Sequence, residues 1–503
     1  MLDGASALVR QHFDADFRVD AIPLDDAKTG AAIAAGDTCG VFQCESSGAQ
    51  RTLRQLQAHS VADLAAANAF FKPGPATGGM AAAFIRRYRG EEQAAYLHPA
   101  LEPILRPTQG VLLYQEQILR VAREIAGLSW AEADHLRRGM SKFRAYEMET
   151  MRARFVEGCM RPAPAGPAFE QNQADTLWEQ IKAFAGYGFN QGHATAYADV
   201  SYRSAYIKEH WPAAFLAARL ANYGGFHHPA IYMAEAVRLN IAVRPPHINQ
   251  SDRHFTLRFA EVADGEAKPV LWMGLGQVKS LRRNAVQSII GERNKEPFTS
   301  LRDLLGRVEL QQKEVTHLIQ CGALDGLAAN RATLLAEAND LQGRGGHSAQ
   351  QMTFAFIEYS APDETSAQRL AWEQRILGQP VSVHPLELMN LEGETFTSLK
   401  EAQSEVGRPC RLAATRLPGW TDGKGFFISD GQSFAIAQGH APLPRPRAWE
   451  PLLLSGRWRS DEWGGGWFQV EQLEKTEKEG NDQQIAQIFQ IFVLIVAKIC
   501  AIC

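Results

Sequence analysis

A multidomain, mainly helical chain ending in a small β-barrel or sandwich is the architecture this sequence predicts, on three observations. The 503 residues exceed what one simple core organises and point to about three domains. Residues 24 to about 225 carry apolar side chains at helical spacing, broken by Lys72-Pro73-Gly74-Pro75 and by the stretch from Pro162 to Pro167. From about Arg408 to Leu473 the texture changes to short alternating runs with Gly and Pro turns, as in Gly425-Phe426-Phe427-Ile428-Ser429-Asp430-Gly431.

The remaining elements follow in order. Residues 1–23 form a short lead-in to a helical domain at 24–225. Residues 226–330 mix one β-like piece, Leu271-Trp272-Met273-Gly274-Leu275-Gly276, with two helical pairs. Residues 331–400 are a helical linker with a polar Gly- and Gln-rich connector (Gln342 to Gln351) and a helix around Gln368 to Leu377. The β domain occupies 401–475 and an atypical apolar tail 476–503. No internal repeat is present.

Composition excludes several classes. An apolar share of 45% with 21% charged residues is that of a folded, soluble chain rather than a disordered one. The net charge of -4 gives no global sign of a polyanion partner, but fifteen Lys and Arg face eleven Asp and Glu between Arg51 and Met160. Most of these bases are Arg, whose planar fork suits phosphate. Seven cysteines without metal-ligand spacing fit a reduced, cytoplasmic protein. Met1-Leu2-Asp3 does not open a signal peptide. The tail from Ile485 to Cys503 is too short and too interrupted by Gln487, Gln490 and Lys498 for a comfortable membrane span. A tail anchor is one reading; a non-native or frameshifted end is the preferred one, and no membrane partner is expected.

Four segments concentrate polar side chains in apolar helical sequence. The first is Ile22-Pro23-Leu24-Asp25-Asp26 with Gly40-Val41-Phe42-Gln43-Cys44-Glu45-Ser46-Ser47-Gly48. The second is Phe71-Lys72-Pro73-Gly74-Pro75 with Phe84-Ile85-Arg86-Arg87. The third joins Gly110-Val111-Leu112-Leu113-Tyr114-Gln115-Glu116-Gln117 to Ala133-Asp134-His135-Leu136-Arg137-Arg138-Gly139-Met140. The fourth runs from Phe184 through Tyr187-Gly188-Phe189-Asn190-Gln191-Gly192-His193 to Ala196-Tyr197 and Ser201-Tyr202. Polar groups packed this closely on buried faces must be satisfied somewhere. For any one of them a hydrogen-bonded core network is the plainer reading.

Together, in order and spacing, the four segments resemble the fingers of the bacterial family C replicative DNA polymerases, the DNA polymerase III alpha-subunit family. The resemblance runs from about Ile22 to Pro385 and implies a C-terminal part that starts just after the palm. It implies template-directed nucleotidyl transfer in DNA replication. The fingers cradle the incoming dNTP: Arg137, Arg138, Lys142 and Arg144 are the candidates for triphosphate or template phosphate. Tyr187, Gly188, Asn190, His193 and Tyr197 would line the nucleotide-facing surface, with aromatic faces available for base stacking. Gln115-Glu116-Gln117 is read as structural, tying the fingers helices together. Three departures stand out: Lys72 in place of Arg, Gln191-Gly192 in place of a Lys-Ser pair, and a Lys-rich run after Met140 thinned to Ser141-Lys142-Phe143-Arg144.

Downstream, Pro245-Pro246-His247-Ile248-Asn249 and Gly274-Leu275-Gly276 resemble the entry to the family's tandem helix-hairpin-helix region, which grips duplex backbone without sequence preference. Lys279, Arg282 and Arg283 are the candidate DNA contacts. Ser280-Leu281-Arg282-Arg283 replaces the expected Gly-hydrophobic-Gly turn, so weaker and salt-dependent DNA binding is expected. Lys313-Glu314-Val315 to Gly322-Ala323-Leu324-Asp325 fits better. Leu377-Gly378 and His384-Pro385 resemble the linker into an OB-like barrel, whose Phe426, Phe427 and Phe434 are read as core before stacking faces.

Nucleotidyl transfer uses palm carboxylates and, by family, Mg2+. Asp14-Ala15-Asp16 has the right spacing for one face of a strand but the wrong position, and is read as a solvated linker. No catalytic or metal residue is therefore assigned. The resemblance implies primer-template DNA, dNTPs, a palm-containing chain if the gene is split, and by analogy a sliding clamp and other replicase subunits. The alternative is a non-catalytic DNA-binding module with hairpin and OB parts, which has no reason to keep the Tyr187 to His193 loop.

Overall fold

The computed structural model describes residues 1–70, 80–139, 145–184, 189–222, 224–261, 267–343, 361–421, 423–440, 443 and 445–475. They divide into two compact units, one of Met1–Ser382 with Ser460–Gly465, the other of Val383–Arg459 continuing from Gly466. The apolar tail and residues 344–351 of the polar connector lie outside the described residues.

The first unit is organised around the helix Gln191–His210, which buries Ala194, Ala198, Ser201, Tyr202, Ala205 and Ile207. The small ones among them, Ala194, Ala198, Ser201 and Ala205, let neighbouring helices approach closely. Val61–Phe70 and Ala27–Ala35 pack on it. Asp26 starts the latter by accepting the Thr29 N–H at 2.8 Å, and Gly36 ends it at φ +68°. Residues 1–23 include a helix, Leu2–His12, that buries Ala5 and Val9 and packs on Pro212–Ala221.

A second core gathers Leu136, Phe155, Leu177, Trp178 and Ile181 from Trp130–Gly139, Ala145–Met160 and Gln171–Phe184. Gln117 anchors its entry. Its buried side chain accepts the Leu113 and Tyr114 N–H groups at 2.8 and 3.0 Å and donates to the Thr108 hydroxyl at 2.6 Å. Gln117→Leu is expected to cost about 2–3 kcal/mol, because those groups are left unpaired away from water. Denaturant unfolding with an unchanged slope is the check.

Three strands, β1 (Ala242–Arg244), β2 (Thr256–Glu261) and β3 (Ala267–Trp272), form a sheet in the order β1-β3-β2, with β1 parallel and β2 antiparallel to β3. The β-like piece thus begins earlier than its hydrophobicity indicates and stops at Trp272. Two residues on, Gly274 lets the chain pass close to the neighbouring backbone, since a Cβ there would lie 2.4 Å from the Arg253 carbonyl oxygen. Three helices follow within 226–330, Arg283–Lys295, Leu301–Arg307 and Gln312–Gln320, and the partner that packs on the last of them, Arg331–Gly343, lies beyond residue 330. The helix Ser366–Leu377 begins two residues before the predicted one, because Thr365 and Gln368 form a capping box.

The second unit is a closed barrel of β4 (Pro409–Leu417), β5 (Phe426–Ser429), β6 (Phe434–Gly439), β7 (Pro451–Ser460) and β8 (Gly466–Lys475), in the order β4-β5-β6-β8-β7. This closure is consistent with an OB-like fold. Its core holds Leu412, Ile428, Leu454, Trp458 and Phe468, with Leu399 of the helix Leu399–Ser404 packed into it. Phe426 and Phe427 are buried and Phe434 is half-buried, so the first two belong to the core. No helix among the described residues is long and apolar enough to cross a membrane.

Candidate nucleotide and DNA contact sites

Three of the four polar segments meet on the helix Gln191–His210. Tyr114 and Phe189 form a parallel bridge, and the Gln115 N–H donates to the Phe189 carbonyl at 2.9 Å. Asn190 is the helix cap: its side chain accepts the His193 N–H at 2.7 Å and donates to Glu116 at 2.7 Å. The other Glu116 oxygen accepts the Gln191 N–H at 2.9 Å. A carboxylate from the third segment therefore sits on the positive end of the helix in the fourth. Glu116 and Gln117 both play the structural part read from the sequence.

One turn further along, the exposed His193 ring packs on Phe189 and on Tyr197, with centroids 5.4 and 3.8 Å away, and Phe42 of the first segment lies 5.2 Å from Tyr197. This is a short aromatic stripe with one accessible face. Behind it the first segment is locked by buried polar contacts. Glu45 accepts from the Tyr232 hydroxyl at 2.7 Å and the Gly40 N–H at 3.0 Å and pairs with Arg219. These contacts are the core network that polar side chains in apolar sequence require.

Arg137 and Arg138 share one partner. Asp134 accepts from Arg137 at 2.8 Å through one oxygen and from Arg138 at 2.8 Å through the other. Arg137 also donates to Gln115 at 3.1 Å, which ties this helix to the Tyr114–Phe189 bridge. The Arg137 guanidinium, with Arg138 beside it, holds the Asp134 carboxyl below the usual carboxylate range. Arg138 is the more open of the two, its side chain 70% exposed against 26% for Arg137. Lys142, Arg144, Tyr187 and Gly188 lie outside the described residues, as does Lys72.

In the hairpin region Lys279 and Arg283 are exposed, while Arg282 is committed to Glu314. Its Nε and Nη2 each lie 3.0 Å from a Glu314 oxygen, and its N–H donates to Glu314 at 2.8 Å. Burial alone would raise the Glu314 carboxyl, yet Arg282 and the surrounding N–H groups bring it below the usual range. The Gly-free turn does form, with Ser280 at φ +69°. That left-handed backbone is strained for a residue with a Cβ. Ser280→Gly is expected to add about 1 kcal/mol of stability, read as a higher unfolding midpoint.

Among the described residues no group of three or more His, Cys, Asp or Glu could hold a metal ion. Asp14 and Asp16 lie in an exposed turn rather than on a strand, Asp14 accepting the Asp16 N–H at 3.0 Å. The described residues do not fit a palm metal centre.

The described residues combine a mainly helical body, a region of short paired helices and a closed five-stranded barrel consistent with an OB-like fold. Residues 1–162 match the sequence model of the bacterial DNA polymerase III alpha subunit finger domain, and residues 240–334 that of a helix-hairpin-helix motif. DNA polymerase III subunit alpha of Helicobacter pylori (strain J99) is 34% identical over 442 residues, 82% of this chain and 36% of the relative. That of Thermus aquaticus is 36% identical over 436 residues, 81% of this chain and 34% of the relative. The chain belongs to the bacterial DNA polymerase III alpha-subunit family. It spans about a third of the length of the curated relatives it matches.

Proposed function

We propose that this chain is the fingers, hairpin and barrel part of a DNA-directed DNA polymerase of the replicase. In this reading it holds primer-template DNA and the incoming dNTP during template-directed nucleotidyl transfer. The observation that carries the reading is the junction at Gln115-Glu116, where Arg137, beside Arg138 on the shared Asp134, meets Gln115 and Asn190 meets Glu116, one turn from the His193 and Tyr197 rings. Charge for a phosphate and aromatic faces for a base stand within one cluster of helices. The polymerase family uses divalent metal; Mg2+ is the proposed ion, and a palm-bearing polypeptide the proposed source of its carboxylates. A sliding clamp and further replicase subunits are proposed partners by analogy, in a cytoplasmic setting.

The test is primer extension with Mg2+, dNTPs and a primed template. The chain alone is expected to bind the template without extending it, and addition of a separately expressed palm is expected to restore synthesis. DNA binding without dNTP binding, and without synthesis in the presence of the palm, would make the chain a non-catalytic DNA-binding module.

A further inference from the structure

We propose that Glu116 is a positioning residue for the base of the incoming nucleotide. Its carboxylate orders the first turn of the helix Gln191–His210, and with it the His193 and Tyr197 rings, while the phosphate-facing arginines are held separately. The inference rests on the nucleotide reading above for the identity of the ligand.

The donors at this helix start fix what can stand opposite them. First-turn N–H groups have no partner within a helix. Two are met here from outside it: Asn190 Oδ1 accepts the His193 N–H at 2.7 Å, and Glu116 Oε2 accepts the Gln191 N–H at 2.9 Å. Because the Asn190 oxygen is committed to the cap, its amide nitrogen faces Glu116 and donates to Oε1 at 2.7 Å. Both carboxylate oxygens thus meet N–H donors, and the site calls for a side chain with two acceptors. A glutamine there would turn its own NH2 toward one of the two donors.

His193 and Tyr197 are the third and seventh residues of the helix, one turn apart on one face, and their rings meet with centroids 3.8 Å apart. Ala194 is the first residue of the helix to be buried. The turn before it therefore takes its order from polar contacts rather than from packing, and loss of Glu116 frays it without opening the core. A frayed turn lowers the fraction of molecules ready to stack on a base, and apparent affinity falls by that fraction.

The phosphate-facing half is tied elsewhere. Arg137 donates to Gln115 at 3.1 Å, and Arg137 and Arg138 share Asp134. None of these contacts involves Glu116. Two adjacent residues of the helix Gln115–Arg120 thus serve the two ends of a nucleotide separately.

The experiment uses the full chain on a primed template and titrates two ligands calorimetrically, the dNTP complementary to the template and inorganic tripolyphosphate. Glu116→Gln should weaken the dNTP roughly fivefold to tenfold, leave tripolyphosphate within about twofold of wild type, and keep the unfolding midpoint. Asn190→Asp sets two carboxylates against each other and should weaken the dNTP as well. The double variant Glu116→Gln/Asn190→Asp exchanges amide and carboxylate, so every donor again meets an acceptor. Its dNTP affinity should return to within about twofold of wild type. Arg138→Ala should weaken both ligands. Wild-type dNTP affinity in Glu116→Gln overturns the positioning role and leaves the nucleotide reading intact. Equal loss of both ligands in Glu116→Gln, or a double variant no better than that single one, also overturns the role. A wild type that binds neither ligand overturns the nucleotide reading and this inference with it.

Discussion

Lys208→Met is expected to destabilise the first unit by about 3 kcal/mol or more. The Lys208 side chain is 1% exposed, and its ammonium lies 2.7 Å from Glu235 and 3.0 Å from Asp37. Arg238 pairs with the same two carboxylates at 2.6 and 2.7 Å. Methionine keeps the apolar stem and removes the charge, leaving the buried Glu235 with one cation instead of two. Adding Glu235→Gln to Lys208→Met should recover part of the loss, the mark of a coupled pair. Burial alone would lower the Lys208 pKa, but Glu235 and Asp37 raise it above its ordinary value. A raised pKa gives stability that is full below the unfolded value of about 10.4 and is lost as pH climbs through the folded one. The wild type should therefore lose its advantage over Lys208→Met only in that alkaline range. An equal midpoint for the two proteins at neutral pH would refute the assignment.

This cluster shows why some of the molecule is legible in sequence and some is not. The helical body and the terminal barrel follow from periodicity and turn residues, which act over a few positions; the helix that completes the second hairpin pair, Arg331–Gly343, falls in the stretch read as linker. Gln117 could be read as structural because a Gln amid Val, Leu and Ile must be satisfied locally. Lys208 gives no such signal, since its partners Asp37 and Glu235 lie far away along the chain. The strands β1 and β2 are too short and too polar at their ends to stand out beside β3. Ser280 was legible in part. The missing Gly marks the turn as difficult, but not that the backbone accepts a left-handed Ser.

Arg138→Ala is expected to weaken dNTP binding to the chain on a primed template by about tenfold or more, the worth of one charge-assisted contact. The two arginines of the pair differ in what they are free to do. Arg137 gives Nε and Nη2 to Asp134 and Nη1 to Gln115, so its fork is occupied by positioning the Tyr114–Phe189 bridge. Arg138 meets Asp134 through Nε at 2.8 Å, and its side chain, 70% exposed, can offer its fork to a phosphate. Arg137→Ala should therefore cost about 1 kcal/mol of stability, whereas Arg138→Ala should leave the unfolding midpoint nearly unchanged. Arg138→Lys keeps the charge and loses the fork, so its affinity should fall between wild type and Arg138→Ala. Asp134→Asn should move the other way, because it removes the carboxylate that competes with phosphate for both arginines. A fluorescent dNTP analogue titrated against each variant reads all four. Equal affinity of wild type and Arg138→Ala would remove Arg138 from the nucleotide site and leave the pair as a purely structural clamp.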